Sequence, residues 1–372
     1  MNRIKRMEIL GESAQYDRCN YGNYNPDNFF SEKLPGVYNA TNPNGVCMPL
    51  FKVLMTNKCS NDCTYCVNNC ENKFNRVELS SFELTSIFLE YYNSKLVEGL
   101  FLSSGVPGDV DVSMENMVDV ARQLRKVHGY QGYIHLKILP GSSYDLIKRA
   151  MSLANRVSIN IEAATSDGFN ELSSTKNFNT DILRRMKWIK RLMKKDENLA
   201  PSGQTTQFIV GASDETDEDI LKRVDWLYKK MDIRRSYFSP FNSMEGTPLE
   251  NHEEPNPLRT GRLYQADHLV NSYGFDLNEL IFEDSGYMKL DIDPKYSAAL
   301  SKMELFPIEL NNASYKELLR VPGIGKISAR RIIESRKRGR PFKNLEELKK
   351  IGVNIKKAEI FVKLHNSYQS TL

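Results

Sequence analysis

The chain has 372 residues, 40% of them hydrophobic, which is enough for one large domain and a smaller one, each with its own core. No segment reaches the roughly 18 apolar residues of a membrane-spanning helix, and residues 1–10 lack the apolar stretch of a signal peptide. We therefore expect a cytoplasmic protein with no membrane partner.

Residues 1–45 are rich in Asn, Tyr, Pro and Gly and predict a mostly irregular N-terminal extension. From residue 49 onward, apolar runs typical of strands alternate with amphipathic stretches typical of helices. The six predicted strands are residues 49–56, 96–104, 132–139, 156–163, 205–212 and 234–241, and the predicted helices between them are residues 80–94, 114–128, 144–154, 180–195 and 217–231. This alternation predicts an α/β fold with parallel strands and right-handed crossovers, arranged as a partial (β/α)6 barrel of the TIM type.

The alternation ends after Phe282, and residues 311–361 predict short helices joined by turns that contain glycine. We therefore divide the chain into an N-terminal extension (1–45), a core domain (46–284), a connector with a short helix (285–307) and a small all-α domain (308–372). Residues 314–363 carry fifteen Lys and Arg against five Glu, a local charge of +10 in a chain whose net charge is +4. A basic end on an acidic body predicts a polyanionic partner.

Three of the six cysteines follow the first predicted strand. Cys59, Cys63 and Cys66 have the spacing C-x3-C-x2-C, and clustered cysteines without an export signal indicate metal binding. Three thiolates can ligate three irons of a [4Fe–4S] cluster and leave the fourth iron open to a small molecule. A structural zinc site with Cys70 as the fourth ligand is the alternative.

The text TNKCSNDCTYCVNNC, with an aromatic Tyr65 before the third cysteine, resembles the motif of the radical S-adenosylmethionine (radical SAM) superfamily. The resemblance implies a [4Fe–4S] cluster, S-adenosylmethionine and an electron donor such as ferredoxin or flavodoxin. It also implies that the reduced cluster cleaves S-adenosylmethionine to a 5′-deoxyadenosyl radical, which removes a hydrogen atom from the substrate.

The strand ends carry further segments that match the superfamily. They are SSG after the second predicted strand, NIEA on the fourth, FIVGASDET on the fifth and YFSPFNSMEGTPL on the sixth. The residues that the resemblance implies for cofactor binding are Tyr65, Ser103, Ser104, Gly105, Lys137, Asn160, Glu162, Val210, Gly211 and Ser239. Cys70 is a candidate hydrogen donor, with simple burial as the alternative, and no role follows for Cys19 or Cys47.

The text VPGIGK, residues 321–326, joins two amphipathic helices in the basic region. Its glycines allow a tight turn with bare backbone, and free N–H groups at the start of the second helix attract anions. The segment resembles a helix-hairpin-helix module, which binds DNA through phosphates, and this implies contacts from Gly323, Ile324, Gly325, Lys326 and Arg330. A second hairpin has IGV instead of GIG, and a packing or protein-adaptor role is the alternative for the region.

The combination resembles the family described as DNA modification and repair radical SAM proteins. The closer match lies in KVLMTNKCSNDCTYCVN, EGLFLSSGV, GYIHLKILPG, SINIEAAT, QTTQFIVGASDETD, RLYQADHLVNSYGF and LLRVPGIGK. It implies an enzyme that acts on a base in DNA, with RNA as the other candidate and a DNA-repair enzyme as a candidate partner. Three alternatives stay open: a non-catalytic iron–sulfur or zinc protein that binds nucleic acid, a radical SAM enzyme acting on a small molecule or tRNA, and a methylthiotransferase, which needs a second cluster.

Overall fold

The computed structural model describes residues 1–14, 34–41 and 47–364, and these form two compact units. The first unit comprises residues 1–215 and 226–260, and the second comprises residues 216–225 and 261–372. The predicted connector, residues 285–307, lies within the second unit. Among the helices of the described residues, none is both long and apolar enough to cross a bilayer.

A seven-stranded sheet forms the centre of the first unit, and its strands are paired in chain order. The first strand is antiparallel to the second, and the other six are parallel. The strands are β1 (Val37–Thr41), β2 (Cys47–Leu54), β3 (Gly99–Ser103), β4 (Tyr133–Lys137), β5 (Arg156–Ser158), β6 (Gln204–Val210) and β7 (Ile233–Pro240). The six parallel strands confirm the predicted partial barrel of α/β class.

Helices alternate with the strands along the chain, and most follow the predicted positions. They are α1 (Arg3–Ala14), α2 (Ser81–Asn93), α3 (Val110–Arg122), α4 (Tyr144–Leu153), α5 (Ser166–Leu172) and α6 (Arg184–Lys195), followed by α7 (Asp217–Met231) and α8 (Pro257–Tyr273), which each include residues of both units. A capping box starts α2: the Ser80 hydroxyl accepts from the Glu83 N–H at 3.2 Å, and the Glu83 carboxylate accepts from the Ser80 N–H at 3.0 Å. Such a cap contributes about 1 kcal/mol, and it fixes where the chain turns back from the barrel edge.

The N-terminal extension contains two elements that the sequence did not predict. Within residues 1–45, α1 and β1 form regular structure where we expected a mostly irregular segment. Strand β1 is stabilised by its backbone pairing with β2, which runs from Val37 opposite Phe51 to Thr41 opposite Cys47. Pairing of this kind overrides a composition rich in Asn and Pro, because strand propensity depends strongly on context.

Side chains on the parallel strands alternate between the helices and the barrel interior. On β2, Phe51 is fully buried and its ring lies 6.3 Å from that of Phe88 on α2. The next residue, Lys52, is directed inward, where its ammonium lies 5.0 Å from the ring of Phe101. Leu54 also faces inward and lines the cavity described below. The side chains that face the barrel interior therefore form a continuous row that ends in the cavity at the C-terminal ends of the strands.

The second unit has a separate hydrophobic core around the predicted hairpin. Its elements are α9 (Pro294–Leu300), α10 (Tyr315–Arg320), α11 (Lys326–Lys337), α12 (Glu346–Lys349), α13 (Ile355–Ala358) and the parallel two-residue strands β8 (Ile308–Glu309) and β9 (Val362–Lys363). Val321 and Ile324 of the VPGIGK turn are buried in this core together with Leu318, Ile332 and Phe361. The turn is thus anchored by its two apolar side chains.

Candidate cofactor site and candidate nucleic-acid hairpin

The cysteine loop begins directly after β2 and is held in shape by one arginine. The guanidinium of Arg76 donates hydrogen bonds to the carbonyls of Asn57 (2.6 Å), Asn68 (3.0 Å) and Asn72 (2.9 Å), and also to that of Asn69. Within the loop, the Cys66 N–H donates to the Cys63 carbonyl at 3.1 Å. These bonds fix the backbone that carries the three thiols. Sequence reasoning missed Arg76, because no motif marks a loop arginine as a clamp.

All three cysteines line one cavity at the C-terminal ends of the strands. Eight of the ten residues implied for cofactor binding also line it: Tyr65, Ser103, Ser104, Gly105, Lys137, Asn160, Glu162 and Ser239. Residues from β3 to β7 therefore meet the cysteine loop in one place.

Val210 and Gly211 do not line the cavity wall. Val210 is buried, and alternation along β6 gives Gln207 and Ile209 the places on the cavity side. Gly211 has φ +87° and packs toward the ring of Pro255. The assignment of Val210 and Gly211 to cofactor binding stays a prediction.

The residues of the cavity fit a [4Fe–4S] cluster with a bound small molecule. The donor set is three cysteine sulfurs, which suits three irons. The backbone of Gly105 approaches the cysteine loop so closely that a Cβ would lie 2.3 Å from the Lys58 carbonyl oxygen. The wall also contains a buried polar atom, Asn68 Oδ1, that has no hydrogen-bond partner among the described residues. Such an atom is suited to a polar ligand group.

The described ranges contain no group of three or more His, Cys, Asp or Glu side chains that could hold a metal ion by itself. Cluster ligation does not require the thiols to surround one point, since each binds a different iron. Cys70, the proposed fourth zinc ligand and hydrogen donor, is exposed and does not line the cavity; both roles stay predictions. Cys47 is exposed at the start of β2, and Cys19 lies outside the described residues.

Burial controls the protonation of the site. It raises the pKa of the Cys66 thiol to about 12, and the charge of Cys63 adds to the increase. Burial likewise raises the pKa of Cys63, while the charge of Lys176 and its hydrogen bond oppose that rise. Because iron binds thiolates, cluster assembly must release protons at ordinary pH.

Glu162 is held by the sheet in an unusual backbone conformation. Its φ is +63°, a strained value for a residue with a side chain, of a kind that clusters at functional sites. Both its backbone groups bond to β6: its N–H donates to Gln207 (2.9 Å), and its carbonyl accepts from Ile209 (2.8 Å). Burial, then the charge of Glu162 and a hydrogen bond between the two side chains, raises the pKa of Tyr65 well above its usual value. The Tyr65–Glu162 pair joins the cysteine loop to the segment that follows β5.

Lys176 lines the same cavity and was missed by sequence reasoning. The residue before it, Thr175, is joined to the cysteine loop, since its hydroxyl donates to the Asp62 carboxylate at 2.7 Å. Burial acts to lower the pKa of Lys176, but the charges of Cys63 and Glu162 outweigh it, so the pKa is raised. The residue lies in a polar loop after α5 with no periodicity or motif, so no sequence signal could have identified it.

The predicted nucleic-acid residues form one turn between α10 and α11. Gly323 has φ +81°, and a Cβ there would lie 2.3 Å from the Asn354 carbonyl oxygen. Ile324 contributes its backbone, since its side chain is buried. Gly325 is the N-cap of α11 and has no side-chain cap, and Lys326 begins the helix. Arg330 lies one turn further along α11 and is exposed.

The second hairpin packs against the first through its own backbone. The Asn354 N–H donates to the Gly323 carbonyl at 3.0 Å, and the Ser328 hydroxyl donates to the Gly352 carbonyl at 3.0 Å. Arg331 donates to the Ile351 carbonyl at 3.1 Å. The following helix α13 has only four residues. These contacts make the second turn a support for the first.

Comparisons with known proteins agree with this arrangement. Residues 53–227 match the model of the radical SAM superfamily, and residues 307–359 match the model of the helix-hairpin-helix motif. No curated protein matches the chain significantly in sequence.

Similar solved structures include the FeFe-hydrogenase maturase HydG from Carboxydothermus hydrogenoformans (15% identity, 58% of this chain and 50% of that chain, TM-score 0.47). They also include methylornithine synthase PylB (18% identity, 58% of this chain and 59% of that chain, TM-score 0.47). The chain therefore spans half of the first and about three-fifths of the second. Another HydG structure has 12% identity over 80% of this chain and 79% of that one, with TM-score 0.47. Residues 53–227 are thus a domain of the radical SAM superfamily, which uses a [4Fe–4S] cluster and S-adenosylmethionine, and residues 307–359 carry a helix-hairpin-helix motif.

Proposed function

We propose that this radical SAM enzyme modifies or repairs a base in DNA, with RNA as the other nucleic acid to be tested. The observation that carries the proposal is the basic glycine turn of the second unit in the same chain as a radical SAM domain. A helix-hairpin-helix turn serves a polymer with regularly spaced phosphates better than it serves a small free metabolite.

The turn supplies both backbone and side-chain features for phosphate binding. Helix α11 has 12 residues, and its N-terminus begins in a bare glycine turn, where N–H groups and the helix dipole attract anions. Among the described residues, Lys326 and Arg330 form no ion pair with an acidic side chain, whereas Lys349 is paired with Glu346 at 2.7 Å. The first two cations are therefore available to phosphates.

Phosphate contacts would position the polymer without reading its sequence. A base can reach a buried radical site only after it is extruded from the duplex, or when the substrate is single-stranded. We therefore propose domain functions along the boundaries stated above: residues 46–284 perform the chemistry, and residues 308–372 hold the nucleic acid. A ferredoxin or flavodoxin would supply the electron, and a DNA-repair enzyme is a candidate partner.

In the cavity, we assign iron ligation to Cys59, Cys63 and Cys66. Ser103, Ser104 and Gly105 would hold the amino-acid part of S-adenosylmethionine through backbone groups, and Asn160 with Glu162 would meet its ribose or carboxylate. When bound, the cluster and S-adenosylmethionine supply a 5′-deoxyadenosyl radical that removes a hydrogen atom. The remaining wall orients the nucleoside part and excludes water.

The test of the substrate is mass spectrometry of nucleosides from DNA, total RNA and tRNA of cells with the protein, without it, or with Cys63→Ala. We expect one DNA nucleoside to change with the active protein only. A change confined to RNA or tRNA would move the substrate to that polymer. If no nucleoside changes while the purified protein still forms 5′-deoxyadenosine, a small-molecule substrate replaces the proposal.

The test of the hairpin is salt-dependent DNA binding by the full chain. Replacing Lys326 and Arg330 together with Ala should remove two phosphate contacts and reduce the slope of log K against log salt by about 2. Lys349→Ala removes one positive charge from a paired position and should leave the slope unchanged. Equal slopes for all three proteins would show that DNA binds elsewhere.

A further inference from the structure

One cationic side chain lies among the cysteine sulfurs. Lys137 and Lys176 are the basic residues in the cavity wall, and the residues just before Lys176 are hydrogen-bonded to Asp62, the neighbour of Cys63. Cys63 is only 7% exposed, so its sulfur is shielded from water. An interaction between charges is stronger in such surroundings than at the surface.

The position of Lys176 is fixed by the loop that precedes it. The carboxylate of Asp62, in the cysteine loop, accepts hydrogen bonds from the Ser173 and Thr175 hydroxyls, both at 2.7 Å, and from the Ser174 N–H at 3.0 Å. Burial opposes ionisation of Asp62, but the hydrogen bonds from these three residues dominate and lower its pKa well below the usual range. The loop that carries Lys176 is therefore tied to the loop that carries the cysteines.

Two further contacts hold the lysine and its segment in place. The ammonium of Lys176 lies 5.7 Å from the centre of the Phe169 ring, and that ring is buried. The Thr64 N–H donates to the Leu172 carbonyl at 2.9 Å, which joins the same two segments through their backbones. These contacts hold the Lys176 segment beside the cysteine loop, with the side chain in the cavity wall.

We propose that Lys176 is a positioning residue that sets the reduction potential of the cluster. Its positive charge, in the wall of the cavity that the three cysteines line, stabilises the reduced cluster more than the oxidised one, because reduction adds a negative charge. Net charge and hydrogen bonds to the sulfurs are among the properties that set cluster potentials. The inference concerns the cluster alone and is independent of whether the substrate is DNA, RNA or a small molecule.

The experiment measures the midpoint potential of the reconstituted full chain by redox titration followed by electron paramagnetic resonance, without S-adenosylmethionine or nucleic acid. Lys176→Met removes the charge and the donor but retains the apolar stem. We expect at least a tenfold fall in the equilibrium constant for one-electron reduction, which corresponds to about 59 mV. Lys176→Arg retains charge and donor and should remain close to the wild type.

The matched control is Lys58→Met. Lys58 lies next to Cys59 in sequence, but its ammonium is paired with Glu78 at 3.1 Å and it does not line the cavity. Its replacement should leave the potential unchanged. An equal fall in Lys58→Met and Lys176→Met would show a general loss of charge and would overturn the assignment to Lys176.

Iron content is determined for every variant, so that cluster loss is distinguished from a change in potential. A fully loaded Lys176→Met protein with the wild-type potential would refute the proposal. If Lys176→Met does not retain iron, Lys176→Gln takes its place, since it retains a donor and loses only the charge. An unchanged potential in loaded Lys176→Gln would likewise overturn the role of the charge.

Discussion

Two lysines, one in each unit, have opposite electrostatic surroundings. Lys176 lines the cavity together with Cys63 and Glu162; burial opposes its ammonium form, but the charges of those two residues raise its pKa. Lys295, in the second unit, donates to the Ile324 carbonyl at 2.6 Å and is 8% exposed. Burial lowers the pKa of Lys295 to about 7, the charge of Arg320 adds to this, and Asp293 partly opposes it.

The difference shows that burial alone does not decide the charge of a lysine. Desolvation disfavours the ammonium at both positions, but thiolates and a carboxylate overcome it at Lys176. At Lys295 the nearby Arg320 and Lys357 reinforce desolvation. Lys176 is therefore a permanent cation, whereas Lys295 changes its charge near neutral pH, directly beneath the turn that we assign to nucleic acid.

The largest expected effect comes from removing the sulfur of Cys63. Cys63→Ala should lose cluster binding and reduce 5′-deoxyadenosine formation below detection, because one iron loses its ligand. Cys70→Ala is the control, since that thiol is exposed and does not line the cavity. Iron analysis and product chromatography under anaerobic conditions measure both effects. Loss of metal in Cys70→Ala as well would favour a four-thiolate zinc site.

A smaller effect is expected at the turn above Lys295. Gly323→Ala forces a Cβ into a positive-φ position and against the Asn354 carbonyl oxygen. Gly339→Ala is the matched control for backbone strain, because Gly339 also has a positive φ (+72°) but a Cβ there meets nothing within 4 Å. The control should cost about 1–2 kcal/mol from backbone strain alone, and Gly323→Ala should cost more.

Hydrogen exchange of α11 in the full chain measures this difference, because both tryptophans, Trp188 and Trp226, belong to the first unit and would not report on the second. We expect protection in α11 to fall further in Gly323→Ala than in Gly339→Ala, with DNA binding reduced in the former. Equal loss of protection in the two variants would mean that the second hairpin does not hold the first turn in place.

The smallest expected effect is a pH response at Lys295. Below about pH 7 its ammonium is charged and adds a positive charge to the turn, so DNA affinity should fall several-fold between pH 6 and 8. Lys295→Met should remove this response. A response that persists in Lys295→Met would show that another group carries it.

The stability of the second unit should also depend on the charge of Lys295, but it should rise with pH where DNA affinity falls. The pKa of Lys295 is about 7 in the folded chain and 10.5 as the reference value. Between these values the unfolded chain binds more protons, so the free energy of unfolding of the second unit should rise with pH. Below pH 7 both states are protonated and the gain is absent. Hydrogen exchange across this range, after correction for the intrinsic rate, measures it.

The sequence predicted the fold where each element carries its own signal. The six parallel strands are buried runs flanked by amphipathic helices, so their order and pairing could be derived. Strand β1 and helix α1 were missed because their stability comes from contacts with other segments. Strand β1 pairs with β2, and on α1 the Arg6 guanidinium bonds Glu83 at the start of α2. Such support lies far away in sequence.

The candidate site was predictable to a similar degree. The cysteines and most of the strand-end residues line one cavity, and they could be named because they occur in motifs or at predictable ends of strands; their roles stay predictions. Val210 and Gly211 do not line that cavity, since one residue along a strand changes the face. Lys176 could not be found, because hydrogen bonds between segments far apart in sequence, among them those of Asp62 with residues 173–175, bring it to the cysteine loop.

The Arg76 clamp has a consequence for how the protein acquires iron. With four loop carbonyls bound by one guanidinium, the cysteine loop is preorganised before any metal arrives. Small zinc domains order their chain only on binding metal and unfold when it is removed. Here the loop loses its conformational entropy when the protein folds, so this loss does not reduce the affinity for iron. We therefore expect the metal-free protein to keep its fold and to accept a new cluster after oxidative loss.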